Sequence, residues 1–374
     1  MNYNLLTKRR RRTCSELCQQ LHIDPILFIG LLVINITSLL IIYSASNQNL
    51  TLLGHQIVNS GFAFLTMMIL AQIPISRYSF LVPWIFGITL LMLFIVINVG
   101  IVSRGAQRWI DLWWFRVQPS EIMKLAVSMI LSWYLRNKTF PLQLKDLSFS
   151  CLIILIPVLI IAKQPDLGTA LLVAATGCFV ILLAGITWEI TLGIGISIIT
   201  TLPIIWNAMH SYQKMRLLTF LSPEKDPLGS GYNIIQSKIA IGNGGWFGKG
   251  WLHGSQTHLQ FLPERSTDFI FAVYGEEFGF IGCILLISLF VFIIWRSLYI
   301  SVNAQDTFTR LLTGSLTLSF FTSFFVNIGM VTGILPIVGI PLPLLSYGGS
   351  SLIIFMASFG IIMSVRTHHK LIGN

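Results

Sequence analysis

Long stretches of the chain are apolar on every side, with short polar breaks between them and no alternation of period two. The run from Asp24 to Ser46, DPILFIGLLVINITSLLIIYSAS, sets the pattern. Apolar runs of about 20 residues fit a bilayer crossed by an α-helix. A transmembrane β-barrel would show shorter, alternating segments instead. Ten such runs predict ten helices, near 25–45, 54–73, 78–99, 119–136, 148–163, 167–184, 187–207, 268–295, 308–332 and 345–366. The expected fold class is an all-α polytopic membrane protein with one large extracytoplasmic loop between spans 7 and 8. The chain then divides into a basic segment 1–24, spans one to seven over 25–207, the loop 208–267, spans eight to ten over 268–366 and a tail 367–374.

Composition agrees. The chain is 54% hydrophobic and 10% charged, with a mean hydropathy of +0.78. A large soluble protein would carry about 25% charged residues. Of the five cysteines, Cys151, Cys178 and Cys283 fall in apolar runs and are expected as small core residues. Cys14 and Cys18 lack the third ligand that a metal site needs. The cluster Lys8–Arg12 precedes a first apolar run too long for a cleaved signal peptide, whose core is about 7–15 residues. It is read as a cytoplasmic flank of an uncleaved span. An even number of spans puts both termini on that side.

Arg77, the Arg136/Lys138/Lys145 loop and the Arg296–Arg310 loop then also lie inside, as the positive-inside rule expects. Two outer segments break the rule. One is the short loop 100–118 with Arg104, Arg108 and Arg116, and the other is 208–267, where cations including Lys249 outnumber carboxylates. Misplaced positive charge is expected either to meet lipid headgroups or to bind an anion such as a phosphate or pyrophosphate.

Ionisable groups inside spans are costly and so are candidates for function. In QPSEIMK, Pro119 and Ser120 suit a helix start, and Glu121 and Lys124, three apart, share a face. They either neutralise each other so that the helix inserts, or form a polar site with Lys124 open to an anion. RGAQRWIDLWWF, with Arg108, Trp109, Asp111, Trp113 and Trp114, reads as an amphipathic interfacial stretch. Asp166 in QPDLGT is either a first-turn carboxylate favoured by the helix dipole or part of a polar cavity that could hold a cation. Asp268 either caps the eighth helix or acts as a base at the boundary; Glu276 and Glu277 lie deeper in the same helix. The stretch Gly242–Gly250 fails as a P-loop, because Asn243 and Gly250 stand where Gly and Ser/Thr are needed, and is read as tight turns.

Six blocks in order, RGAQRWIDL, QPSEIMKL, QPDLGTA, DPLGSGYNIIQSKIAIGNGGWFGKGW, FLPERSTDFIFAVYGEEFG and IPLPLLSYGGSS, resemble the SEDS family (shape, elongation, division and sporulation). The resemblance covers nearly the whole chain, and GWLHGSQTHLQFLPER is closer to the rod-shape branch, RodA, than to the division branch, FtsW. It implies a bacterial inner-membrane peptidoglycan glycosyltransferase that polymerises lipid II for elongation and rod shape. Its implied partners are a class B penicillin-binding protein that crosslinks the product, the growing glycan strand and elongation-complex proteins, with no nucleic acid. By the resemblance, Asp268 is the catalytic carboxylate, and Arg108, Glu121, Lys124 and the QPD-motif Asp166 belong to the site; Arg104 and Lys249, among the misplaced outer cations, are further candidate substrate contacts. Asp166, Glu276 and Glu277 are the carboxylates to test for a divalent cation, magnesium or manganese; no organic cofactor is expected.

The chemistry asked of these residues is one inverting displacement, from an α-linked pyrophosphate to a β-glycosidic bond. One carboxylate suffices as general base, with cations for the departing pyrophosphate. Two other classes fit parts of the pattern. A lipid-linked precursor flippase would use the intramembrane charges but needs two alternately open cavities, and no inverted repeat of broken helices is evident. A non-catalytic scaffold for the penicillin-binding protein would tolerate replacement of Asp268.

Overall fold

The computed structural model describes residues 22–103, 106–111, 116–188, 230–254 and 264–368, with a few isolated positions between 192 and 220. Nine of the ten expected spans are helices: α1 (Pro25–Ala45), α2 (Leu50–Gln72), α3 (Ile75–Val99), α4 (Pro119–Leu135), α5 (Leu144–Lys163), α6 (Leu167–Ala184), α8 (Ile270–Val302), α9 (Thr307–Val331) and α10 (Gly349–Thr367). Most of the expected seventh span, the basic cluster Lys8–Arg12, Cys14, Cys18, Arg104, Trp113, Trp114 and much of 208–267 lie outside the described residues.

Local chemistry sets the helix starts. Asp24 caps α1, accepting from the amides of Ile26 and Leu27 at 3.0 Å with Pro25 in the first turn. Asn49 does the same for α2, and Asp306 and Thr309 form a capping box on α9. Two elements were not expected. The loop after α3 carries a small antiparallel sheet in the order β1-β2-β3, made of β1 (Ile101–Ser103), β2 (Ala106–Asp111) and β3 (Arg116–Val117), where the sequence pattern predicts an interfacial stretch. The large loop contains a helix, α7 (Ser230–Gly244), which packs along α8.

Burial sorts the bundle. α4, α9 and α10 are largely wrapped by other helices, whereas α2 and α3 show one apolar face outward, with Phe62, Phe80, Trp84 and Leu91 exposed. In a bilayer those side chains meet lipid. α4 can carry Ser120, Glu121, Lys124, Ser128 and Ser132 because protein rather than hydrocarbon surrounds them. Cys283 is buried and Cys151 half-buried, but Cys178 is exposed on α6 and is not a core residue.

The bundle has two polar ends. One joins Asp24 to Arg296 at 2.9 Å and to Arg366 at 2.5 Å, with the rings of His22 and His368 stacked 3.9 Å apart. A cavity of about 720 Å³ opens there, lined by Ser76, Ser79, Arg136, Asp306 and His368. None of the candidate residues lines it. They gather at the opposite end, where α4, α6, α8 and α10 begin.

Candidate active site

Asp268 closes a turn, Glu264–Phe269, that feeds α8. The cap position of α8 is held by Phe269, whose side chain makes no cap hydrogen bond, and Asp268 stands one residue before it. The turn is held from outside itself. Tyr347 N–H donates to the Ser266 carbonyl at 2.9 Å, Ser346 Oγ to that of Thr267 at 2.6 Å, and Asn327 Nδ2 to that of Asp268 at 2.9 Å. Within the turn, Thr267 Oγ1 donates to Glu264 Oε2 at 2.9 Å. The neighbouring Arg265 is half-buried, and desolvation draws its pKa below the ordinary arginine value.

The carboxylate of Asp268 faces Gly339, where a methyl group would lie 3.6 Å from Oδ2. Gly339 has φ +79°, a conformation that favours glycine, and it places no side chain against the carboxylate. The other flank of the same segment meets the start of α6: a methyl group on Gly168 would lie 2.6 Å from Val338 Cγ1, so those backbones are in close contact. The segment Val338–Ile340 thus stands between the start of α6, capped by Asp166, and Asp268.

Asp166 caps α6 through Thr169 N–H at 3.3 Å, and it also meets partners from outside the helix. Gln118 Nε2 donates to Oδ2 at 3.3 Å, and Arg108 Nε stands 3.3 Å from the same oxygen. The Arg108 Nε–H is not aligned on that oxygen, so the contact is one of charge. An Nη of Arg108 donates to Pro165 O at 3.3 Å. With its side chain 30% exposed, Arg108 keeps further donors open to a ligand.

Lys124 Nζ meets Glu121 Oε2 at 2.8 Å with both side chains buried, and it stands 5.0 Å from the ring centre of Phe355 on α10. The contact is the one that mutual neutralisation requires. Lys249 and Glu276 pair at 3.0 Å, and Ser44 Oγ donates to Glu277 Oε1. These two contacts tie α8 to the large loop and to α1. α8 breaks at Gly279, φ +67°. The amides and carbonyls freed by the break bond the glycine-rich stretch: Lys249 and Gly250 N–H donate to Glu276 and Glu277 O, and Phe280 and Ile281 N–H donate to Gly245 and Trp246 O. The stretch read as tight turns near the membrane is therefore also a backbone clamp on a broken helix.

Among the described residues no three His, Cys, Asp or Glu side chains converge to hold a metal. Asp166, Glu276 and Glu277 sit in three separate contacts, so they do not build one cation cage.

The sequence model of the cell cycle protein family FtsW/RodA/SpoVE matches residues 18–371. This chain belongs to that family. The peptidoglycan glycosyltransferase MrdB of Escherichia coli K12 is 47% identical over 356 residues, 95% of this chain and 96% of that one. A chain solved in work on the structural coordination of polymerization and crosslinking by a peptidoglycan synthase complex superposes with a TM-score of 0.80 at 31% identity, covering 92% of this chain and 97% of that one. The rod shape determining protein RodA of Thermus thermophilus superposes with a TM-score of 0.70 at 27% identity, covering 92% and 96%. The shared FtsW/RodA/SpoVE fold agrees with the polytopic helical class read from the apolar runs.

Reasoning from the sequence picked out Asp268, Arg108, Glu121, Lys124 and Asp166, and missed Asn327, Ser346 and Tyr347, which hold the Asp268 turn. One signal was available for Asn327: an amide side chain in an otherwise apolar span needs a partner.

Proposed function

We infer that this protein is a peptidoglycan glycosyltransferase that polymerises lipid II into glycan strands for elongation and rod shape. The observation that carries the reading is a carboxylate, Asp268, one residue before the α8 cap and facing the side-chain-free Gly339 at one polar end of a membrane bundle. The 47% identity to a curated glycosyltransferase over 95% of the chain supports the same reading.

The proposed reaction is a single displacement. The 4-hydroxyl oxygen of the acceptor sugar attacks the anomeric carbon of the donor. The bond from that carbon to the pyrophosphate oxygen breaks as the new glycosidic bond forms with inversion. Asp268 accepts the hydroxyl proton, a role worth about 10²–10⁴-fold in rate. The leaving pyrophosphate carries its charge toward Arg108, whose outward N–H groups can bridge two phosphate oxygens. Asp166 holds the guanidinium from behind. Lys124 adds positive charge from within the bundle, though its first partner is Glu121.

Among the described residues, Asp166 is the carboxylate at this end that could serve a divalent cation. Asp166 would supply a single carboxylate and the substrate phosphates the rest, the way magnesium is commonly held.

We place this end outside the cytoplasm. Arg77, Arg136, Lys138, Arg296, Arg310 and Arg366 all belong to the other end, and such cations favour the cytoplasmic side. Both termini are then cytoplasmic. The partner proposed is a class B penicillin-binding protein, which would crosslink strands as they emerge.

The test is to give purified protein lipid II, with and without that partner, and to resolve the products by size. Ladders of glycan oligomers are expected. Their absence from folded, partner-bound protein would return the flippase or scaffold reading.

A further inference from the structure

Three consecutive carbonyls, of Ser266, Thr267 and Asp268, each accept a hydrogen bond from a separate donor, Tyr347 N–H, Ser346 Oγ and Asn327 Nδ2. The Asn327 donor is used twice. It also donates to the Ile340 carbonyl at 2.7 Å, beside the Gly339 that faces the Asp268 carboxylate. A primary amide has two N–H donors, and both are committed here. Asn327 is fully buried, and its Oδ1 accepts no bond among the described residues. An amide satisfied on one side only is costly inside a bundle. A leucine would remove the orphan oxygen but would take the donor away from the Asp268 and Ile340 carbonyls. What the amide achieves is geometric: it fixes the backbone of Asp268 relative to the backbone that borders its carboxylate.

We propose that Asn327 is a positioning residue for Asp268, setting where the carboxylate stands against the Val338–Ile340 segment, with Ser346 fixing the preceding peptide. This rests on Asp268 being the general base. A base must lie within hydrogen-bond reach of the proton it takes, and a misplacement of about 1 Å can cost about 10²-fold. Ser346 is itself oriented, since Leu342 N–H donates to its Oγ at 2.8 Å. The α9 amide and the entry to α10 therefore act on one turn from two sides.

The test uses the full chain with lipid II and reads kcat, KM, the pH–rate profile and thermal stability. Asn327→Leu removes both donors, Asn327→Asp replaces them with an acceptor facing two carbonyls, and Asn327→Gln keeps them on a longer arm. Leu and Asp are expected to lower kcat by about tenfold to a hundredfold with KM within about twofold. They are also expected to move the acidic limb of kcat/KM, which reports the base. Gln is expected to recover part of the loss. A folded Leu variant with unchanged kcat and unchanged acidic limb overturns the proposal, whatever its melting temperature. Should the Leu variant not fold, Ser346→Ala decides: a severalfold loss of kcat at constant KM supports positioning, and unchanged kcat and pH profile overturn it. Asp268→Asn run alongside separates the two levels. If it keeps polymerising, the general-base reading fails; if it is inactive while Asn327→Leu is not impaired, only the positioning role fails.

Discussion

Arg108 Nε lies 3.3 Å from Asp166 Oδ2, and this contact joins the small sheet to the first turn of α6. The carboxylate has two tasks there, capping the helix and countering the guanidinium, and substitution can separate them. Asparagine caps about as well as aspartate. Asp166→Asn is therefore expected to shift stability by less than about 1 kcal/mol while slowing polymerisation about tenfold, because Arg108 loses the charge that orients it. Asp166→Ala is expected to lose about 1 kcal/mol more. Melting curves and polymerisation rates on the same samples check both; a fully active Asp166→Asn would limit the residue to capping.

The buried Glu121–Lys124 pair makes a different prediction. Removing one partner of a buried pair costs about 3–5 kcal/mol, because a charge is left without its counter-ion, whereas replacing both with neutral groups of similar size is often tolerated. Glu121→Gln alone should destabilise strongly, and Glu121→Gln with Lys124→Met should fold nearly as well as the parent. If Lys124 also serves the pyrophosphate, the folded double variant polymerises poorly. Full activity in it would mean that the pair serves insertion alone.

At Gly248 a methyl group would lie 2.1 Å from the Glu277 carbonyl oxygen, and φ is +80°. Gly248→Ala should force the glycine-rich stretch off the break in α8, at a cost of about 1–3 kcal/mol. Faster proteolytic cleavage near Trp246 and Phe247 would report the release, since both side chains are exposed.

The far end of the bundle should respond to acid. Burial, and then the neighbouring His368, hold the pKa of His22 below its ordinary value of 6.5. The folded state therefore favours neutral His22. Its contribution to stability is present above pH 6.5 and is lost as pH falls through the lowered folded-state value. Thermal midpoints measured from pH 7.5 downward should fall less steeply for His22→Asn than for the parent.

The spans were legible because an apolar run of bilayer length is rare outside a membrane-crossing helix. The helices 25–45, 119–135 and 167–184 begin and end within a residue of where the pattern put them. The end of α8 was misplaced because Arg296 looked like a loop residue. It is buried inside the bundle by pairing with Asp24, 272 residues away. The site was legible where a charge interrupts an apolar run, as at Glu121, Lys124 and Asp268. It was illegible where function rests on neutral donors far along the chain. Asn327 and Ser346 reach the Asp268 turn across 59 and 79 residues, and no local pattern encodes those contacts. The backbone clamp at Gly279 was hidden for the same reason: each glycine reads as a turn until its partner is known.

The most direct measurement is the rate at which purified Asp268→Asn polymerises lipid II, compared with the parent at equal folded protein and equal partner binding. A general-base role for Asp268 predicts a fall of at least about 10²-fold with lipid II still bound. A near-normal rate would contradict that role and remove Asp268 from the chemistry.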